Sequence, residues 1–210
     1  MNATTSDRAL TPTNWHRSVR AACASDNQLQ SIISEFGIPP FWRRAPGWQT
    51  LAQIILEQQV SLHSGRQAWL RVRRAVQPFN AGRVVDVGAA PLRRAGVTRQ
   101  KAAYLVDLAE AVTTGEFQAA ALGRLSNELV RERLCAMRGI GEWSANCYLL
   151  LAMCRADVWP DGDIALQQVV SERWGIPRHG DRSALVAGFK PWRSVAARLL
   201  WHDYLSRRQR

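Results

Sequence analysis

Apolar residues recur at helical spacing along most of this 210-residue chain. Leu29, Ile32, Ile33 and Phe36 follow an i, i+3, i+4, i+7 pattern, and the run stops at Gly37, a residue typical of helix C-termini. No stretch alternates apolar and polar residues for long enough to predict a sheet. The pattern therefore predicts an all-α fold, and 47% apolar residues are enough to give it a buried core.

Similar spacing and capping residues predict further helices at about 48–61, 64–76, 99–113, 127–137, 143–154, 164–174 and 191–206. The helix at 143–154 is almost entirely apolar, which predicts that it is buried. Residues 1–22 are rich in Thr, Asn and Pro and are predicted to form a flexible N-terminal arm. Residues 23–210 are predicted to form the folded domain.

The chain is strongly basic. It carries 28 Lys and Arg against 17 Asp and Glu, a formal net charge of +11. Only Lys101 and Lys190 are lysines, so nearly all of the positive charge is arginine, whose planar guanidinium pairs with phosphate. This balance favours a nucleic acid as the partner, although many small basic proteins are basic only for solubility.

Four cysteines lie in mostly apolar surroundings, with no CxxC and no Cys/His spacing of a metal or cluster site. We interpret them as reduced thiols. The N-terminal segment has no apolar signal region, and the longest apolar stretch, Tyr148 to Cys154, is too short to span a bilayer. These features predict a cytoplasmic protein that does not associate with membranes.

A glycine turn, Gly139-Ile140-Gly141, joins two predicted helices. Glycine lets a backbone reverse sharply, and Ile140 is predicted to anchor the turn in the core. Backbone N–H groups here and at the start of the next helix would face a phosphate with the positive end of the helix dipole. The alternative is a plain packing elbow between two helices.

Five ordered segments resemble the helix-hairpin-helix superfamily of base-excision DNA glycosylases. LCAMRGIGEWSAN (134–146) resembles the hairpin, VWPDGD (158–163) the loop that ends in the family's aspartate, and LAQIILEQQVS (51–61) the helix that presents the DNA-wedging residue. Residues 92–108 resemble the LxxxGxxxxKAxxLxxLA segment, and KPWRS (190–194) is similar to the 3-methyladenine DNA glycosylase II branch.

The resemblance implies an architecture of two helical lobes flanking a DNA-binding cleft. One lobe would span about residues 60–160, and the other would be built from both termini. The chain is too short for the N-terminal β-rich lobe that other members carry, so none is expected.

The resemblance assigns catalysis to Asp163. A carboxylate beside the anomeric carbon stabilises the oxocarbenium character that develops as an N-glycosidic bond breaks. The family's register fits Asp163 and not Asp161. Asp163 is also well placed to cap the next helix, and the two roles are compatible.

Trp143 occupies the position at which strand-cleaving members of the family have a nucleophilic lysine, so a monofunctional, water-using enzyme is implied. Trp143 and Trp201 would line the base pocket and attract a cationic alkylated purine. Either tryptophan alternatively serves only the core. Cys147 stands where the best-known members have tyrosine, which leaves the damage spectrum open.

The implied DNA contacts are the hairpin residues Gly139, Ile140, Gly141, Ser144 and Ala145, together with a wedge from Gln58 or Gln59. Helix-end solvation is the alternative for both glutamines. The resemblance also implies a structural monovalent cation on the main-chain carbonyls of Cys135, Met137 and Ile140. The chemistry itself requires no cofactor.

The sequence thus predicts a monomeric glycosylase that flips alkylated bases of the 3-methyladenine and 7-methylguanine type out of duplex DNA and excises them by hydrolysis of the N-glycosidic bond. Two alternatives remain: a non-catalytic helix-hairpin-helix DNA-binding protein, or a glycosylase for uracil, hypoxanthine or an oxidised purine.

Overall fold

The computed structural model describes residues 9–208. Over this range the chain forms thirteen helices: α1 (Pro12–Cys23), α2 (Asn27–Phe36), α3 (Trp48–Glu57), α4 (Leu62–Ala75), α5 (Ala81–Val87), α6 (Ala89–Arg94), α7 (Arg99–Thr113), α8 (Ala119–Leu122), α9 (Asn127–Cys135), α10 (Glu142–Leu151), α11 (Ile164–Trp174), α12 (Ser183–Gly188) and α13 (Arg193–Arg207). Between residues 9 and 208 the only β pairing is one isolated bridge, Ala9 with Arg155. The all-α prediction is confirmed.

The prediction of a flexible arm is wrong from residue 9 onward, because Ala9 pairs with Arg155 and Leu10 is buried. Thr11 and Asn14 form a capping box, Pro12 begins α1, and Trp15 and Val19 are buried. The Thr, Asn and Pro residues that suggested a loose segment are the residues that start a helix. The part of the predicted arm at residues 1–8 lies outside the described residues.

The chain divides into two compact units. One is Arg44–Tyr148, and the other combines the described residues up to 43 with those from 149 onward. The sequence placed the first lobe at about 60–160. The unit begins earlier than predicted because α3 packs against α4 and α7. It also ends earlier, inside α10, where the apolar sequence continues without a break and gives no sign of a boundary.

In the unit Arg44–Tyr148, α7 packs against α3, α5 and α6. Leu51, Ile54 and Ile55 of α3 are buried, as are Ala102 and Leu105 of α7. Tyr148, fully buried, accepts a hydrogen bond on its hydroxyl from the backbone N–H of Gly47 at 3.0 Å. This packing fixes the start and the apolar face of α3, the helix that the sequence associates with the wedge.

In the other unit, α13 packs against α1, α2 and α11. Arg198 of α13 is fully buried and donates to the main-chain oxygens of Leu150 at 2.7 Å and Trp42 at 3.2 Å. Its guanidinium also lies over the rings of Trp15 and Phe41. Burial lowers the pKa of Arg198 to about 10. Carbonyls and aromatic faces thus replace the water that this charge loses.

Cys23 and Cys147 are buried thiols, while Cys135 and Cys154 are half-buried. Burial, with a smaller contribution from Asp26, raises the pKa of Cys23 to about 11. A thiol with so high a pKa is a poor nucleophile at neutral pH.

No helix between residues 9 and 208 combines the length and the apolarity that crossing a membrane requires.

Candidate functional site

The glycine turn joins α9 to α10. Ile140 is buried, and its N–H donates to the carbonyl of Met137 at 3.1 Å, which closes the turn. Gly141 and Glu142 at the start of α10 are exposed. The hairpin therefore presents backbone at a helix N-terminus, as the sequence predicted, with Ile140 as its anchor.

The two glycines of the turn serve different purposes. Gly139 has φ of +85°, and a Cβ added there would overlap the ring of Tyr104 on α7. Gly141 lies outside the left-handed region, and an added Cβ would meet nothing within 4 Å. Only Gly139 is required by the fold, so the expectation that both glycines make the reversal is corrected. Gly141 instead leaves its backbone open to a close approach from outside.

Ser144 and Ala145, two of the predicted DNA contacts, are buried. The Ser144 hydroxyl accepts a hydrogen bond from Gln58, and the N–H of Ala145 donates to the carbonyl of Gly141 at 3.0 Å. Both residues hold the hairpin together.

Trp143 is half-buried in the first turn of α10, and Cys147 is buried at 3% exposure. Their four-residue separation places them on one face of the helix.

Gln58 is committed to the hairpin. Its Nε2 donates to the carbonyl of Gly139 at 2.8 Å and to the Ser144 hydroxyl at 2.9 Å. To enter DNA, this side chain would first have to give up both hydrogen bonds.

Gln59 is the exposed residue of the pair, with φ of +54° in the left-handed region. The helix that was predicted to extend to Ser61 ends at Glu57, and the chain turns at Gln58 and Gln59. Val60 and Leu62 beyond the turn are exposed, at 46% and 58%. An apolar tip therefore flanks the Gln59 side chain.

Asp163 lies in the other unit and is the N-cap of α11. Its Oδ1 accepts from the N–H of Leu166 at 3.0 Å and from the indole N–H of Trp201 at 3.2 Å. Gly162, just before it, has φ of +81° and brings the chain into the cap. Trp201 thus contacts the carboxylate itself. Asp161, two residues earlier, has a highly exposed side chain that lies 3.9 Å from Arg182.

Two clamps hold the segment that leads to Asp163, and the sequence did not reveal their role. The buried Asp157 carboxylate accepts from Arg193 Nε at 2.7 Å and Nη2 at 3.0 Å. The buried Ser194 hydroxyl donates to the carbonyl of Val158 at 3.1 Å and accepts from its N–H at 3.0 Å. Arg193 and Ser194 belong to the KPWRS segment, which was the available signal.

Among the described residues, no group of three or more His, Cys, Asp or Glu side chains could hold a metal ion.

Lys101 is half-buried, and its Nζ donates to the carbonyls of Leu56 at 2.8 Å and Gln58 at 2.6 Å. Burial lowers the pKa of Lys101.

The described chain thus combines a half-buried carboxylate cap, a glycine hairpin at a helix N-terminus and an all-helical fold. The model for "HhH-GPD superfamily base excision DNA repair protein" matches residues 52–193. The chain belongs to this superfamily.

Individual relatives are distant. DNA-3-methyladenine glycosylase 1 of Schizosaccharomyces pombe is 29% identical over 114 residues, which is 52% of this chain and 50% of that protein. Among its curated relatives, the chain spans 36% to 66% of the relative's own length.

Solved structures are similar over more of the chain. A DNA-3-methyladenine glycosidase from Bacillus halodurans is 27% identical, with a TM-score of 0.72, and the match covers 91% of each chain. A Schizosaccharomyces pombe 3-methyladenine DNA glycosylase in complex with abasic DNA has a TM-score of 0.80 at 21% identity, over 88% of this chain and 95% of that one. The second likeness concerns the fold alone.

Proposed function

We propose that this protein is a DNA glycosylase that excises alkylated bases from duplex DNA by hydrolysis of the N-glycosidic bond and leaves an abasic site. The observation that carries the proposal is the Asp163 carboxylate, fixed at the N-cap of α11 by N–H donors from Leu166 and Trp201. A DNA-binding module would need the hairpin but not this fixed acid. Membership of a base excision repair family and the names of its relatives support the same conclusion.

Asp163 would stabilise the positive charge that develops on the sugar as the bond from C1′ to the base nitrogen breaks. Water then attacks C1′; its hydroxyl stays on the sugar, and its proton is released or taken up by the departing base. The two N–H donors hold Oδ1 in place before the reaction, so little reorganisation is needed in the transition state.

Trp143 and Cys147 share a face of α10, and we assign this face to contact with the flipped base. A cationic alkylated purine would gain cation–π attraction from the Trp143 ring. Because such a base is already a good leaving group, the reaction needs no strong general acid. Trp201 would act mainly by holding Asp163, with any stacking on the base as a second contribution.

Gly141 at the start of α10 would bind a DNA phosphate through backbone N–H groups, a contact that does not depend on base sequence. Gln59 would enter the stack where the base leaves it and offset part of the few kcal/mol that flipping costs. Its exposure, and the engagement of Gln58 with the hairpin, support this assignment.

Hydrolysis without a lysine nucleophile is part of the proposal. Trp143 occupies the family's lysine position, Lys190 is exposed in a different segment, and the Lys101 ammonium is bound by two carbonyls. Reduction with borohydride during turnover should therefore trap no covalent complex. We further propose that the enzyme acts as a monomer.

The family's monovalent cation would be held by the main-chain carbonyls of Cys135, Met137 and Ile140. These oxygens are main-chain carbonyls and carry no formal charge. The Met137 carbonyl already accepts the N–H of Ile140 and keeps a second lone pair for an ion. Bound there, the cation would add positive charge near a DNA phosphate.

The decisive measurement is single-turnover base release from duplexes that carry 3-methyladenine, 7-methylguanine, hypoxanthine or uracil. The wild type should release the two methylated purines fastest. Asp163→Asn should lose at least about 100-fold in rate. Asparagine is as good an N-cap as aspartate, so the fold and the affinity for abasic-site DNA should be preserved.

Asp161→Asn is the matched control, because it removes the same charge two residues away at an exposed site. Its rate should equal that of the wild type. An Asp163→Asn variant with the wild-type rate would refute the catalytic assignment. A wild-type protein that binds all four duplexes and releases nothing would be the non-catalytic DNA-binding module instead.

A further inference from the structure

The bend between α3 and α4 is a strained piece of backbone. Gln59 adopts a left-handed conformation with φ of +54°. For a residue other than glycine this conformation costs roughly 1–2 kcal/mol, and it persists only where the surroundings hold it. Glutamine has no local side-chain device that favours it, unlike asparagine or aspartate. The cause of the bend must therefore lie outside the loop.

Lys101 supplies one hold on the bend. It projects from α7, more than forty residues away in sequence, and its Nζ lies 2.8 Å from the Leu56 oxygen and 2.6 Å from the Gln58 oxygen. These carbonyls belong to the last turn of α3 and to the residue after it, where the helix leaves main-chain acceptors without partners. A cation at this end is also favoured by the helix dipole.

The side chain of Gln58 supplies the second hold, on the Gly139 carbonyl and the Ser144 hydroxyl. Gln58 is thus fixed through its own carbonyl by α7 and through its amide by the hairpin. With Gln58 held at both points, the chain turns at Gln59, whose side chain is exposed.

A lysine at this point is itself informative. Of 28 basic residues only two are lysines. Two carbonyl oxygens that converge on one point suit the compact, three-donor ammonium group, whereas the planar arginine fork suits a carboxylate or a phosphate. Lys101 is also half-buried, unlike the exposed Lys190.

We infer that Lys101 is a positioning residue for base flipping: by binding the carbonyls of Leu56 and Gln58 it fixes the left-handed bend that aims Gln59 at the DNA. Lys101 touches neither the base nor the sugar in this role. The inference rests on the proposed function and adds to it a residue that acts through the wedge.

The test is a double-mutant cycle of Lys101→Met and Gln59→Ala, read out by single-turnover release of a methylated purine from duplex DNA. Methionine keeps most of the buried stem and removes the ammonium donors. Each single variant should lose about tenfold, and the double variant should lose no more than Gln59→Ala alone, because Lys101 acts only through that side chain. Losses that multiply in the double variant would overturn the inference.

A second readout separates positioning from general stability. The fluorescence of 2-aminopurine placed beside an abasic-site analogue reports unstacking by the bound enzyme. Lys101→Met should lower this signal while the affinity for the duplex changes less than threefold. Lys190→Met, which removes the same charge from an exposed site, should leave the signal unchanged. A wild-type signal in Lys101→Met would refute the inference.

The two proposals fail in different ways. If the wild type unstacks the duplex but releases no base, the proposed chemistry is wrong. The 2-aminopurine fluorescence of Lys101→Met then still tests whether Lys101 positions Gln59. If the wild type releases methylated purines and Lys101→Met does so at the same rate, the role of Lys101 is wrong and the glycosylase proposal stands.

Discussion

The hairpin at residues 139–141 and the segment at residues 157–163 both lead into a helix N-terminus, yet they are held by different forces. The hairpin is fixed by shape and by neutral hydrogen bonds: Ile140 is buried, Gly139 lies against the ring of Tyr104, and the Gln58 amide donates to the Gly139 carbonyl and the Ser144 hydroxyl. The aspartate segment is fixed by polar clamps, Arg193 on Asp157 and Ser194 on Val158.

This difference matches what each segment presents. A hairpin that offers backbone N–H groups to a phosphate can tolerate small shifts, because a phosphate contact carries no base information. A carboxylate that must face one carbon atom cannot tolerate such shifts. Charged and bidentate hydrogen bonds fix the direction of a side chain better than apolar packing does. The two segments can therefore be broken by different substitutions.

The largest effect is expected from Gly139→Ala, which attacks the shape of the hairpin. The added methyl group must accept a left-handed φ and displace the Tyr104 ring, for a combined cost of about 2 to 5 kcal/mol. Chemical denaturation monitored by circular dichroism measures the loss of unfolding free energy.

Gly96→Ala is the matched control for Gly139→Ala. Gly96 also has a positive φ, +86°, but its added Cβ would meet only the flexible end of Arg71, at 3.4 Å. It should lose about 1 to 2 kcal/mol, the backbone cost alone. Equal losses in the two variants would mean that the Tyr104 contact contributes nothing.

The next effect is expected from Arg193→Met, which attacks the polar clamp. It leaves the Asp157 carboxylate buried without its strongest partner, at a cost of about 2 to 3 kcal/mol in unfolding free energy. Base release should also slow, since the segment leading to Asp163 loosens.

Adding Asp157→Asn to that variant removes the buried charge and should recover part of the stability. The release rate should not recover, because the clamp is still absent. A double variant less stable than Arg193→Met would contradict this account of the clamp.

These two segments differed in how well the sequence predicted them. The hairpin follows from local signals, a helical run, two glycines and another helical run, and its position was found from the residues alone. Which glycine the fold requires was not visible, because the ring that excludes a Cβ at Gly139 belongs to Tyr104, far away in sequence. The two helices that flank the hairpin, α9 and α10, were predicted with small errors at their ends, whereas α1, α5, α8 and α12 were not predicted.

The aspartate segment was found through resemblance, and its supports were not. Arg193 and Asp157 are 36 residues apart, and nothing in either local sequence indicates that they pair. The end of α3 was predicted four residues too late for a similar reason. The helical pattern continues past Glu57, and the contacts that stop it come from Lys101 and the hairpin.

The smallest effect is expected from Gly141→Ala, which separates the two uses of the hairpin. Its Cβ meets nothing within 4 Å and its φ is ordinary, so stability should change by less than about 0.5 kcal/mol. A methyl group on the exposed surface would still keep a phosphate away from the backbone N–H groups. Affinity for undamaged duplex should fall about tenfold, or ~1.4 kcal/mol. Fluorescence anisotropy at two salt concentrations measures this loss, which should be similar for damaged and undamaged duplexes, because the contact reads no base. An unchanged affinity would place the phosphate contact elsewhere on the protein, and the hairpin would then be the plain packing elbow that its sequence also allowed.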